Sequence, residues 1–505
     1  MSRSLSGPAS KISLLFLLIA AAAVGCSEIE PTSLLAASPT PTAPAAPAAV
    51  TPTPETVAQL APAPTPSPTP APVEIGSRRQ LFVDDWLIDV ATGTSLVLHQ
   101  PRQAEVVLQL DEAWEDQTAA YFTVFKDGGL YRLYYRCHND ENEATCYAES
   151  TDGIRWGKPS LGLFPFEGST DNNIVWTGPE SHNFAPFLDT NSDRRPGEEY
   201  KALGGQPPMA LVSSDGIHWT KLQDEPVLTR GAFDSQNVAF WDEERGFYVA
   251  YFRIFTTVRA IARSISLNFT EWSNGIPIDL GDSPREHLYT NATTPYFRAP
   301  DVLLAFPSRF QPERQRVAEH PFPGVSDAVF MSSRDGVAFD RRFLEAFVAP
   351  GRDLRNWTER SNMVAWGVVP TAQDEMSVYY TQHYRHPTAH LRRGVLRKDG
   401  FVSVNAPPAG GELVTRPLLF SGRGLKVNFR TSAAGSLRIE LQDARGVPIE
   451  GFALDDADEL FGDDIDRLAT WSGSADVGAL AGRPVRLRFV MKDADLYSFR
   501  FFETP

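Results

Sequence analysis

The sequence predicts an all-β chain, a five-bladed β-propeller followed by a C-terminal β-sandwich, and three observations predict it. The string SSDGIHW at 213–219 returns as STDGIRW at 150–156 and, relaxed, as SSRDGVAF at 332–339. Short strand signals fill the chain between the copies, with almost no helical periodicity. Beyond residue 408 the pattern becomes an apolar–polar alternation, as in LKVNFRT, SLRIELQD and RPVRLRFVMKD.

Two weaker copies, SISLNFTEW at 264–272 and RKDGF at 397–401, complete the series. The closing aromatics are Trp156, Trp219, Trp272, Phe339 and Phe401, so successive steps are 63, 53, 67 and 62 residues. Each step holds about four strand signals, the content of one propeller blade. In the first, TVF, LYRLYYR and TCYAES precede the Asp-Gly turn; in the third, 237–241, 247–252 and 260–266 precede Trp272. Asp-Gly tolerates the positive φ of a tight hairpin and joins the third strand to the outermost one. Asp152, Asp215 and Asp335 therefore read as peripheral turn residues and not as chemistry.

At 505 residues and 42% hydrophobic content, the chain is long enough for two cores plus non-globular segments. Its formal charge of −16 has no compensating basic block, which argues against nucleic acid as a partner. Arg3 and Lys11, an apolar run at 12–24 and the string AAVGC ending at Cys26 form a targeting segment. The segment resembles a bacterial lipoprotein signal, which implies lipidation at Cys26; an ordinary secretory signal is the alternative.

Residues 27–72, rich in Pro, Thr and Ala, read as a disordered spacer. The expected domains are thus 1–26 signal, 27–72 linker, 73–407 propeller and 408–505 accessory sandwich. An exported monomer, touching a membrane only through a lipid anchor, is the expectation. Cys137 and Cys146 flank the loop HNDENEAT and are either bridged across one hairpin or two small buried thiols.

In a propeller the innermost strands run in one direction along the central channel, so the residues that begin them converge at one mouth. Those residues are polar here: Glu115-Asp116-Gln117-Thr118, Ser181-His182-Asn183, Asp234-Ser235-Gln236-Asn237, Glu286-His287-Leu288-Tyr289-Thr290-Asn291 and Glu359-Arg360-Ser361-Asn362. Carboxylates, amides, His, Arg and Tyr hydrogen-bond vicinal hydroxyls, which suits a carbohydrate. Phosphate-loop and dinucleotide fingerprints, the Gly-x-Ser-x-Gly elbow and the zinc helix motif do not occur. No cofactor or metal site is indicated, with a structural calcium ion left open.

Glycosidic hydrolysis needs two carboxyl groups across the bond, about 5 Å apart for retention and about 6.5–9.5 Å for inversion. Glu286 is the expected general acid, Asp234 the stabiliser of positive charge and Asp116 the nucleophile or base, with Glu115 or the Asp84-Asp85 pair as its alternates. His182, Asn183, Gln236, Asn237, His287, Tyr289, Asn291, Arg360 and Asn362 are the expected substrate-binding residues. The segment TQHYRHPTAHLRR adds His383 as a further candidate for substrate or a structural cation.

Five blades, a sandwich and acidic residues at the mouth resemble the glycoside hydrolase family 32 plan, shared in its propeller with families 43 and 68. From about Arg79 to Phe502 the chain also resembles secreted bacterial family 32-like proteins, through LFVDDWLID, SHNFAPFLDTN, GAFDSQNVAFWD, PREHLYTNA and DLYSFRF. The family's Asn-Asp-Pro-Asn-Gly, Arg-Asp-Pro and Glu-Cys motifs correspond at best to Glu115-Asp116-Gln117-Thr118, Phe233-Asp234-Ser235 and Glu286-His287. The resemblance thus implies a glycosidase without implying a fructan; a non-catalytic glycan-binding propeller is the alternative. The turns are also similar to the sialidase Asp-box, a resemblance that implies three convergent arginines, Arg253, Arg298 and Arg360, beside Tyr289.

Overall fold

The computed structural model describes residues 71–139 and 143–503, so Cys26 and the signal and linker readings up to residue 70 lie outside the described residues. The chain divides into Met1–Pro66 and Ser67–Pro505, and every described residue belongs to the second unit. The described residues form β-strands, turns and short 3-10 segments, with no α-helix among them.

Consecutive strands build a series of small antiparallel sheets. The first holds Ala120–Asp127, Leu130–His138, Ala144–Ser150 and Ile174–Thr177. The second holds Ala185–Leu188, Tyr200–Gly204, Met209–Ser213 and Thr220–Lys221. The third holds Val238–Asp242, Phe247–Phe255, Arg259–Ser266 and Ile276–Pro277.

The fourth pairs Thr294–Tyr296, Ala299–Ala305 and Met331–Ser333. Past Pro307, which cannot donate to a ladder, its chain runs on into a separate small sheet of His287–Leu288, Ser308–Gln311 and Val325–Ala328. The fifth joins Val369–Pro370, Glu375–Gln382 and His390–Arg397 to Arg102–Gln109, a strand from far earlier in the chain.

The recurrent string makes the same turn each time. In the second sheet Ser213 Oγ accepts from Gly216 N–H at 2.9 Å, and Asp215 Oδ1 accepts from the N–H groups of Ile217 and His218 at 2.8 Å each. Trp219 then donates its indole N–H to the Gly216 carbonyl at 3.1 Å. The first-sheet copy repeats these bonds from Ser150, Asp152 and Trp156. Gly153 and Gly216 sit at φ 72° and 78°, which explains the glycine. Burial works against ionisation of Asp215, but the His218 and Ile217 donors outweigh it and hold the carboxyl well below its ordinary range.

These turns also bind neighbouring sheets. The Gly153 carbonyl accepts from Tyr379 of the fifth sheet at 2.6 Å, Gly216 from Tyr134 of the first at 2.8 Å, and Gly336 from Tyr251 of the third at 2.7 Å. A parallel bridge between Thr123 and Trp366 further joins the first sheet to the segment leading into the fifth.

A ten-stranded sheet contains the C-terminal strands, dominated by Gly424–Asp443 and Val485–Phe502. Strands from the start of the described residues belong to it. Val73–Gly76, Gln80–Leu81, Ile88–Thr92 and Ser95–Leu98 pair into it rather than with the sheets that follow them in sequence. A strand edge is satisfied by any chain with free backbone groups, whatever its sequence distance. The side chains of Leu425, Val427, Phe429, Leu487, Phe489 and Phe499 pack its core. Between this sheet and the fifth, the buried Asp399 receives Arg79 at 3.1 Å, Arg298 at 3.3 Å and the Tyr296 hydroxyl at 2.7 Å.

Candidate functional site

The five numbered sheets, or the segments leading into them, send side chains to one place. Tyr121 begins the first sheet and its hydroxyl lies 3.2 Å from that of Tyr289, which precedes the fourth. Arg136 of the first sheet stacks on Tyr121 at 4.9 Å. Around the Tyr289 ring stand Arg253 at 4.9 Å, Arg360 at 5.2 Å and Arg259 at 5.7 Å. Arg360 also donates to the Tyr384 hydroxyl at 2.9 Å. Tyr121 and Arg360 both hold left-handed backbone, at φ 58° and 60°, a conformation that costs an ordinary residue about 1 kcal/mol or more.

Beside the tyrosines one imidazole joins two carboxylates. His182, in the 3-10 segment Pro179–Asn183, places Nε2 3.1 Å from Asp234 Oδ1 and Nδ1 2.7 Å from Glu143 Oε1. Asp234 Oδ2 lies 3.6 Å from Arg253, and its side chain keeps 46% of its surface exposed. Burial pushes His182 down, but its bonds to Asp234 and Glu143 outweigh that and raise it above its ordinary value. Burial likewise pushes Asp234 up, yet the His182 bond and the Arg253 and Arg360 charges outweigh it and lower the carboxyl. Tyr121 is raised by burial and then by Tyr289, so it keeps its proton. Glu143 stands just before Ala144–Ser150, in a hairpin closed by the disulfide between Cys137 and Cys146, S–S 2.01 Å.

Asp116 and Glu286 are placed otherwise than expected. Asp116 caps a turn, accepting from Thr118 N–H and hydroxyl at 2.6 Å each and from Asn139 N–H at 2.9 Å. Its alternates are engaged too: Glu115 with Lys158 at 2.7 Å, Asp84 with Arg334 at 2.8 Å and Asp85 with Arg342 at 3.0 Å. Glu286 forms ion pairs with Arg341 and, at 3.6 Å, Arg309. His287 and Tyr289 meet Phe310 and Arg259, whereas Glu286 is taken up by Arg341 and Arg309. His287 is lowered by burial and then by Arg259.

The expected amide ligands are structural clamps. Asn183 donates to the carbonyls of Phe233 and Ser235 at 2.6 and 2.8 Å, and Gln236 to those of Tyr121 and Phe122 at 3.2 and 3.0 Å. Asn237 donates to Phe233, Asn291 to Tyr251, and Asn362 to Ser326 and Asn356. Each ties a strand start to a neighbouring backbone, which a buried carbonyl requires. His383 contacts Asp353 at 2.9 Å and Thr388 Oγ1 at 2.9 Å. Arg298 is absorbed by Asp399 and Asp466 and takes no part in the cluster with Arg253 and Arg360. No group of three or more metal-ligating side chains occurs among the described residues.

His182, Asp234, Tyr289 and Arg360 thus meet as strand-start reasoning expected, while Tyr121, Arg136, Glu143 and Arg259 were missed. Tyr121 and Arg136 sit inside apolar strand strings, and Glu143 in a polar loop, so no local signal marks them. Arg259, the first residue of the strand Arg259–Ser266, had only its charge to offer.

No family model matches the sequence, and no curated protein matches it. Solved structures do. One described as a glycoside hydrolase has 13% identity and a TM-score of 0.41, covering 59% of this chain and 92% of its own. An α-L-arabinofuranosidase from Podospora anserina in complex with cellotriose has 8% identity and a TM-score of 0.39, covering 59% of this chain and 97% of its own. A fructofuranosidase variant from Schwanniomyces occidentalis complexed with fructosylnystose has 10% identity and a TM-score of 0.34, covering 86% of this chain and 99% of its own.

Proposed function

We infer that this chain is a glycosidase whose reaction centre is Asp234 at the confluence of the five small sheets. The observation that carries the reading is the setting of that carboxylate: half-exposed, held ionised by His182 and Arg253, and backed through His182 by a second carboxylate, Glu143. In this reading the sheets are the blades of a five-bladed propeller, closed by Arg102–Gln109, and the ten-stranded sheet is an accessory sandwich. The N-terminal segment with Cys26 supports export and a lipid anchor, with the chain acting as a monomer.

Hydrolysis adds water across the C–O bond. Asp234 takes a proton from the attacking water, and the Tyr289 hydroxyl, paired with Tyr121, gives one to the leaving oxygen. His182 and Glu143 do not touch the sugar; they are positioning residues that orient Asp234 and keep it charged.

The test is release of sugar from a panel of oligosaccharides and aryl glycosides by the full chain, beside Asp234→Asn. Release by the parent and loss of at least about 10²-fold in the variant is the expected result. Glycan binding by both proteins with release by neither would replace the enzyme by a glycan-binding module.

A further inference from the structure

We propose that the ligand of this mouth is an anionic glycan, one whose bound sugar carries a carboxylate or a sulfate ester, held by Arg253, Arg259 and Arg360. The proposal deepens the glycan reading above and rests on it. Its ground is a charge imbalance. The chain as a whole carries −16, yet Arg136, Arg253, Arg259 and Arg360 gather here against Asp234 and Glu143. Of the four, only Arg253 has a carboxylate within ion-pair distance among the described residues, Asp234 at 3.6 Å.

Two of the cations are buried and two are partly so. Arg136 and Arg253 expose 1% and 5% of their surface, Arg259 and Arg360 are half-buried, and the Nε atoms of Arg136 and Arg259 have no acceptor. A guanidinium cannot escape this cost by losing its proton. Buried charges are ordinarily paired, so a group of four cations with one ion pair among them leaves positive charge that an anion from outside would balance.

The remaining donors point the same way. The amides of Asn183, Gln236, Asn237, Asn291 and Asn362 are spent on backbone carbonyls. The donors left at the mouth are guanidinium forks and phenol hydroxyls, and the fork matches a planar or tetrahedral oxyanion in bidentate fashion. The Tyr289 ring keeps three guanidiniums within 6 Å of one centroid, with Asp234 the one carboxylate paired to any of them among the described residues.

The experiment is calorimetric titration of the full chain with uronate-, sialate- and sulfate-bearing oligosaccharides, each beside its methyl ester or desulfated counterpart, with inorganic sulfate as a separate arm. The expected result is a charged glycan bound about 10- to 100-fold more tightly than its neutralised partner. The carboxylate and sulfate arms then identify which oxyanion is taken. Arg259→Met should erase the charged-ligand advantage and Arg259→Lys recover it only partly, with circular dichroism confirming that both are folded. Equal affinity for charged and neutral partners, or binding of no charged glycan, overturns the proposal. A neutral sugar bound indifferently to Arg259→Met overturns it while leaving the glycan reading intact. Binding of inorganic sulfate alone would keep an anion site and overturn the glycan reading.

Discussion

The hydroxyls of Tyr121 and Tyr289 meet at 3.2 Å although the residues stand 168 positions apart. Buried hydroxyls that share a hydrogen bond have surrendered their water, and here both also lie against arginines. Replacing Tyr289 by Phe keeps the ring on which three guanidiniums stack and removes only the hydroxyl. Turnover should fall by about 10²-fold with little change in melting temperature, as kcat and a thermal melt would show. Unchanged kcat would remove Tyr289 from proton transfer.

The pair Asp234 and His182 sets a pH window. Asp234 is lowered from 3.8, so its contribution is present above that value and fades as pH falls through the still lower folded value. His182 is raised from 6.5, so its contribution is complete below 6.5 and fades as pH rises through the higher folded value. Activity should therefore hold from below pH 3.8 to above pH 6.5, as far as the fold allows. Glu143→Gln should pull the upper edge downward. An imidazole titration of His182 by NMR that is unmoved in the variant would contradict this.

Glu286→Gln separates the expected acid from the observed site. Glu286 neutralises Arg341, whose side chain is fully buried, so the change should cost about 2 kcal/mol of stability. Chemical denaturation reads that cost, and kcat of the folded variant should stay within about twofold of the parent. A loss comparable to that of Asp234→Asn would return Glu286 to the reaction.

The Cys137–Cys146 disulfide closes a loop with a sequence separation of 9, and Glu143 lies within it. Removing it with a double Cys→Ser change should lower stability by about 2–3 kcal/mol through the unfolded chain. It should also loosen the Glu143 partner of His182 and lower the imidazole's titration, a shift that a purely structural disulfide would not produce.

Asp399 offers a control far from the mouth. Burial opposes its charge, but Arg79 and Arg298 outweigh it and lower the carboxyl, so its stabilisation is present above pH 3.8 and lost as pH falls through the folded value. Asp399→Asn leaves those arginines short of a counter-charge and should cost about 3 kcal/mol at neutral pH, with site titrations unchanged. Equal stability of parent and variant by denaturation would contradict it.

What the sequence determined by itself is local and periodic. Ser213, Asp215, Gly216 and Trp219 satisfy one another within seven residues, so their string announced the turn and its repetition announced the series of sheets. His182 and Asp234 were legible because each opens a strand with a polar residue where a turn needs none. What only the tertiary structure decided depends on partners distant in sequence. Asn183 and Gln236 look like sugar ligands until the carbonyls of Phe233 and Tyr121 arrive to occupy their amides. Glu286 looks like an acid until Arg341 arrives to pair with it, while its neighbour His287 meets Arg259. Arg136 and Arg259 carry no local signal at all, because a guanidinium lacking a carboxylate is a property of the space around it, and that space is assembled from several sheets.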